Sequence, residues 1–281
     1  MLDTEHAQTP SQHLPSQSLG VPRLLNDMPQ KPSLKLTTDT LSIAFETNGK
    51  GFMGFIEELP GAFIRGRTED EAISKVNQEA NSYLKWLSIT PSVSFKTQIV
   101  QRHQSSLAVE DADNEILLDA DKEKMDEENS RNMVDLVWYS GETIHQIYSK
   151  SGFKDWIDDS RIRKTFYGEN PKSIREIFDH VKYCQYYYLS RMKIAFEKKE
   201  EDFMAIRKFC LEKLNEIYCK NNNSLQFEID NEHWTLKKVL RRFIWHDRIH
   251  GKAIMRILEK QKQNGIIDEY EDPFHFMESN Q

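Results

Sequence analysis

The pattern of apolar and polar positions changes character twice along the chain. From Leu41 the two alternate: L-S-I-A-F-E-T reads as a strand, N-G-K-G as a turn and G-F-M-G-F-I-E-E-L as a second strand. L-P-G then connects to G-A-F-I-R-G-R, a third short strand. Thr68-Glu69-Asp70-Glu71 has the spacing of a capping box, which predicts a helix to about Leu87 burying Ala72, Val76, Ala80, Tyr83, Leu84 and Leu87. Pro91 stops it, and S-V-S-F-K-T-Q-I-V-Q reads as a fourth strand. The unit is a small α+β domain, ββ-β-α-β, over residues 34–105.

After residue 129 the spacing becomes three-four. Asn132 to Lys150, a stretch opened by Pro171, Phe203 to Tyr218, and Trp234 to Lys262 predict four long helices. Their lengths and connections predict an all-α, up-and-down four-helix bundle over residues 129–276. Residues 1–33 are rich in Gln, Ser, Pro and Thr and read as a disordered tail. Residues 106–128 are acidic and read as a solvated linker, with Ile116 to Leu118 the one stretch able to dock as a short strand. Within it, D-A-D-N-E lacks the glycine and the terminal glutamate of a calcium loop.

Composition narrows the function. Apolar residues make up 38% of the chain and charged residues 30%, as in soluble globular proteins, and the formal charge of −7 argues against broad binding to nucleic acid or acidic membranes. Lys50, Arg65 and Arg67 are three scattered basic residues of the sheet segment, which do not make a strong RNA footprint. Three cysteines without a C-x-x-C pair fit a reducing compartment, and no apolar run approaches the roughly 18 residues a bilayer demands. The start of the chain lacks the features of a signal peptide, so the expected location is the cytoplasm.

The candidate chemistry lies in the last helix. Its stripe runs Leu236, Val239, Leu240, Phe243, then Ala253, Ile254, Ile257 and Leu258, and the stations in between are His246 and His250. Two imidazoles one turn apart can share a metal ion; they can equally be core-edge histidines bonded to neighbours. His180 falls on or beside the stripe Ile174, Ile177, Val181, Cys184, Tyr188 of the second helix, from which a bundle can bring it opposite the pair. Three imidazoles with an open position form a catalytic type of divalent site. H-D-R-I-H invites comparison with the H-E-x-x-H peptidases, but Asp247 is one methylene shorter than their general base and no clear third ligand follows. Asp247 is expected at the surface or supporting a ligand histidine. Cys184 reads as a fourth ligand, a redox-sensitive thiol or an apolar filler, and His145 as a supporting or ordinary polar-face histidine. Tyr183, Tyr186, Tyr187 and Tyr188 read mostly as packing.

Two resemblances add to this. Gly51-Phe52, Phe55-Ile56, Glu58-Leu59-Pro60-Gly61 and Gly66-Arg67-Thr68 with Glu71-Ala72 resemble the signature of HicB-type antitoxin domains. That resemblance implies a sheet used to bind a protein partner or to form a homodimer, although the DNA-binding element that usually follows in the family is not evident here. I-R-E-I-F-D-H and the later W-x-x-x-x-V-L-x-x-x-x-x-H-x-x-x-H-x-x-x-I resemble the DinB/YfiT superfamily of four-helix bundles. By motif position, this second resemblance implies metal ligation by His180, His246 and His250. It implies zinc or nickel, or else manganese or iron, and a reaction in which a small thiol attacks an electrophile, or a hydrolysis. The competing expectation is an interaction protein whose HicB-like module sits on a non-catalytic helical scaffold.

Overall fold

Alternation in the N-terminal part builds a four-stranded mixed sheet. In the computed structural model, which describes residues 31–90, 94–159, 162–165, 168–197 and 202–277, the strands are β1 (Thr40–Thr47), β2 (Phe52–Ile56), β3 (Phe63–Gly66) and β4 (Lys96–Gln104). Their order is β3-β2-β1-β4, antiparallel except for the parallel pair of β1 and β4. The expected tail lies largely outside the described residues.

The sequence predicts one helix after β3, and the structure has two, α1 (Glu69–Ile73) and α2 (Val76–Trp86). The cap forms as expected: Thr68 Oγ1 accepts from the Glu71 amide at 3.1 Å, and the Glu71 carboxylate reaches back to the Arg67 amide at 2.8 Å. The break follows from Ser74, whose hydroxyl donates to the Glu71 carbonyl at 2.8 Å while the Lys75 amide turns to the Ala72 carbonyl. That is the competition between a serine side chain and the helix ladder.

The two conspicuous glycines of this region serve different ends. Gly61 has φ +84°, and a Cβ there would lie 2.5 Å from Ile244 Cγ2 and 2.8 Å from the Trp245 nitrogen. Gly66 has no positive φ; a Cβ there would meet the Ala72 nitrogen at 2.5 Å, so its role is to let the chain pass close under α1.

Four long helices follow: α3 (Glu127–Lys150), α4 (Ile174–Ser190), α5 (Phe203–Asn221) and α6 (Leu236–Gln263). Asp126, Ser173, Asp202 and Thr235 cap them, each accepting the amide three residues on. The start of α4 therefore lies beyond Pro171. Trp234 belongs not to α6 but to a hairpin of β7 (Gln226–Ile229) and β8 (Glu232–Thr235), whose turn residues Asp230 and Asn231 both have positive φ. A smaller hairpin pairs β5 (Lys164–Thr165) with β6 (Gly168–Glu169).

The acidic stretch corrects the expectation of a solvated linker. Val109, Ile116, Leu118 and Met125 are buried, and so is Asp121, whose carboxylate takes hydrogen bonds from Arg241 of α6. The carboxylate of Glu46, in β1, accepts the amides of Glu115 and Ile116 at 3.0 and 3.1 Å and pins this stretch to the sheet. Leu41, Ile43 and Phe45 face one apolar core, continuous from α2 through the long helices. Ala44, Met53, Phe55 and Phe63 face a second cluster closed by Ile116, Leu118 and Trp245. Helix α6 thus touches both halves of the protein. Among the described residues no helix is long and apolar enough to cross a membrane.

Candidate functional site

Helix α6 carries His246 and His250 on one face, and α4 presents His180 to them across the interface. The ring centroids of His246 and His250 are 4.3 Å apart, those of His180 and His250 4.7 Å, and those of His180 and His246 5.0 Å. Nε2 of His180 lies 3.1 Å from Nε2 of His246, and one nitrogen from each of the three rings falls within 4.8 Å of the others. Such spacing lets three donors share one cation. The three sequence-predicted residues are therefore brought together, across 66 residues of chain in the case of His180 and His246.

Burial sets their protonation. His246 is only 6% exposed. Loss of solvation, reinforced by the neighbouring His250 and His180, holds its pKa well below the ordinary imidazole value. Burial, followed by the neighbouring His180, lowers that of His250 to about 3, and burial lowers that of His180. Near neutral pH all three rings are neutral, which is the state that donates a lone pair. Tyr188 stands edge-on to His246 with centroids 5.4 Å apart, closing one side of the group.

A buried ion pair sets the rotation of α6 one residue beyond His246. Asp247 is 1% exposed, which overturns its expected place at the surface. Its carboxylate accepts from Arg207 of α5 at 2.8 and 2.9 Å and from the hydroxyl of Ser140 of α3 at 2.6 Å. Arg207 also donates to Gln185 of α4 and to the Val137 carbonyl of α3, both at 2.6 Å. All four long helices meet at this pair. Gly141 makes room for it, since a Cβ there would lie 2.9 Å from Arg207 Nη1. The hydrogen bonds of the Asp247 carboxylate go to Arg207 and Ser140, and none of the three imidazoles is among its partners.

The remaining candidates divide. Cys184 lies 3.6 Å from His180 Nε2, but its sulfur is not within the compact three-nitrogen group, and burial pushes its thiol up to about 11. His145 stacks on Phe203 and packs near Phe178, each at 6.0 Å, as an aromatic filler. Tyr186 and Tyr188 are buried, whereas Tyr183 and Tyr187 are exposed. Glu46, His103 and Glu115 form a second compact group, which sequence reading did not assemble. Its carboxylates are occupied by the Glu115 and Ile116 amides and by Ser105, as expected of a structural clamp.

Sequence reading also missed Arg207, Gln185 and Arg242. Arg242 is buried and packs its guanidinium over Trp245 at 4.6 Å and Tyr188 at 5.8 Å, on the flank of the histidines. The available signal for Arg242 was its place between the apolar runs Val239-Leu240 and Phe243-Ile244-Trp245. No family model matches the chain, and comparison with curated proteins and with solved structures likewise gives no match.

Proposed function

We propose that His180, His246 and His250 hold a divalent metal ion, zinc or nickel in the first place, within a DinB-like four-helix bundle, and that the protein is a metal-dependent enzyme of the thiol-transfer or hydrolytic kind. The observation that carries this reading is the convergence of three neutral imidazoles from two helices. The donor set passes a simple test of fit: tetrahedral bonds of 2.0–2.1 Å place ligand nitrogens about 3.3 Å apart. The 3.1 Å between His180 and His246 lies close to that. A divalent ion held by three nitrogens, with a position left open, polarises an electrophile or lowers the pKa of a nucleophile. The protein's own part is to keep the rings neutral by burial, to fix α6 through Asp247 and Arg207, and to shield the group with Tyr188. The Cys184 thiol, held protonated, is unsuited to be the nucleophile itself.

A second reading, an interaction module on a helical scaffold, draws support from β4. It is an edge strand with Val100 43% exposed, open to a partner chain or a second copy. Both faces of the sheet are already covered, one by the main core and the other by Trp245 and the acidic stretch.

The test is metal content together with the visible spectrum of the cobalt-substituted protein, for wild type and for His180→Ala. Wild type is expected to bind about one equivalent and show ligand-field bands that the variant lacks. A wild-type chain that takes up no zinc, nickel or cobalt refutes the reading. Metal bound without turnover over a panel of thiol and ester substrates favours the scaffold.

A further inference from the structure

A cleft of about 530 Å³ opens along the seam between β3, α2 and α6, a size suited to a small organic ligand. None of the three histidines lines it; Ile249, between them in sequence, turns the other way and does. Its walls carry six cationic side chains, Lys50, Arg65, Arg67, Lys75, Lys252 and Arg256, in a chain whose formal charge is −7. Three carboxylates share the lining, Glu71, Glu79 and Glu110.

These acids are already engaged. Glu71 bonds Lys75 at 2.7 Å, Glu79 bonds the buried Arg248 at 2.7 Å, and Glu110 accepts from the Asn48 amide at 2.6 Å. Lys50, Arg67 and Arg256 make no side-chain ion pair among the described residues, and Arg65 donates to the Glu110 carbonyl rather than to a carboxylate. The pKa of Arg65 is lowered by burial and then by the nearby charges of Arg256 and Arg163. Like charges are gathered here at a cost that an anion would relieve. Apolar side chains line the same cleft: Phe63 and Phe276 lie under the Lys252 ammonium, and Ile249 and Val109 complete the lining. The arginines can fork onto a phosphate while the rings take a flat apolar body.

We propose that this cleft is a binding site for a small phosphorylated organic molecule, its phosphate on Arg65, Arg67 and Arg256 and its apolar body against Phe63, Ile249 and Phe276. The site is separate from the histidine group and does not depend on the metal reading. The excess of cations favours a multiply charged group over a carboxylate.

The test is calorimetric titration of the full chain with phenyl phosphate, inorganic phosphate and benzoate, on wild type, on the exposed-site variants Arg67→Glu and Arg256→Glu, and on Lys35→Glu as a control. Phenyl phosphate is expected to bind, and to bind more tightly than either fragment. Loss of a charge-assisted contact should weaken it about tenfold or more in each cleft variant and leave the control unchanged. Absence of phenyl phosphate binding, or binding indifferent to both cleft variants, overturns the proposal. So does binding of a single-stranded oligonucleotide that needs the same arginines while phenyl phosphate fails to bind, which would make the surface a nucleic-acid groove.

Discussion

Replacing Gly61 by alanine tests how the sheet and the last helix are joined. The position combines two demands, φ of +84° and a virtual Cβ 2.5 Å from Ile244 Cγ2. Gly49 has nearly the same backbone, φ +83°, with nothing within 4 Å of its virtual Cβ. Holding a non-glycine residue in the left-handed region costs about 1–2 kcal/mol, and forcing a methyl group into a filled contact about 1–3 kcal/mol. Gly49→Ala should therefore lose about 1 kcal/mol and Gly61→Ala about 3 kcal/mol, so that the difference of about 2 kcal/mol isolates the contact with α6. Urea denaturation followed by far-UV circular dichroism and tryptophan emission measures both, with the midpoints read at unchanged slope. Because the methyl would also press on the Trp245 backbone, next to His246, cobalt affinity should fall in Gly61→Ala and not in Gly49→Ala. Equal losses of stability in the two variants would refute the reasoning, because the turn would then not bear on the helix.

Two further outcomes follow from the site. Asp247→Asn keeps the shape but strands Arg207, whose side chain is 1% exposed; the cost should be about 3 kcal/mol in the same urea assay, and a loss under 1 kcal/mol would show that the pair does not hold the helices. The histidines predict an acid-sensitive fold in the chelator-treated protein. Their folded pKa values lie below the unfolded value, so the unfolded chain takes up protons first. For all three the contribution is complete above about pH 6.5 and falls as the pH falls; for His250 it is lost toward about 3, at roughly 1.4 kcal/mol per pH unit. Urea midpoints measured from pH 7 to pH 5 should fall less steeply in His250→Gln than in wild type, and parallel slopes would count against it.

Much of the fold was legible because it is periodic. Alternation announced β1, β-rich runs bounded by turn residues announced β2 and β3, and three-four spacing announced the four long helices, whose starts were misplaced where Asp126, Ser173 and Thr235 set the caps. His180, His246 and His250 were found because each falls on a buried stripe, so geometry local to one helix already aimed it. What stayed hidden depends on partners far away in sequence. Asp247 looks like a surface residue until Arg207, 40 positions earlier, is set against it. Glu79 and Arg248 are 169 positions apart, and Asp121 and Arg241 are 120 apart. Charge composition marks the acidic stretch as solvated, since unpaired carboxylates belong in water. Its burial rests on cations that α6 supplies among its apolar residues. The break at Ser74 turned on one hydroxyl, below the resolution of a periodic pattern.

The position of α6 between the two halves also fixes an order of assembly. Phe63 and Trp245 belong to one apolar cluster, yet 182 residues of chain separate them. At a synthesis rate of about 5–20 residues per second, the cluster on the second face of the sheet stays incomplete for roughly 10–40 s after β3 emerges from the ribosome. During that interval Met53, Phe55 and Phe63 have only Val109, Ile116 and Leu118 of the acidic stretch to pack against, and their cluster is completed when Trp245 of the last helix arrives. The helix that aligns His246 and His250 is thus also the piece that completes the sheet, so the histidine group and the finished fold come into being together.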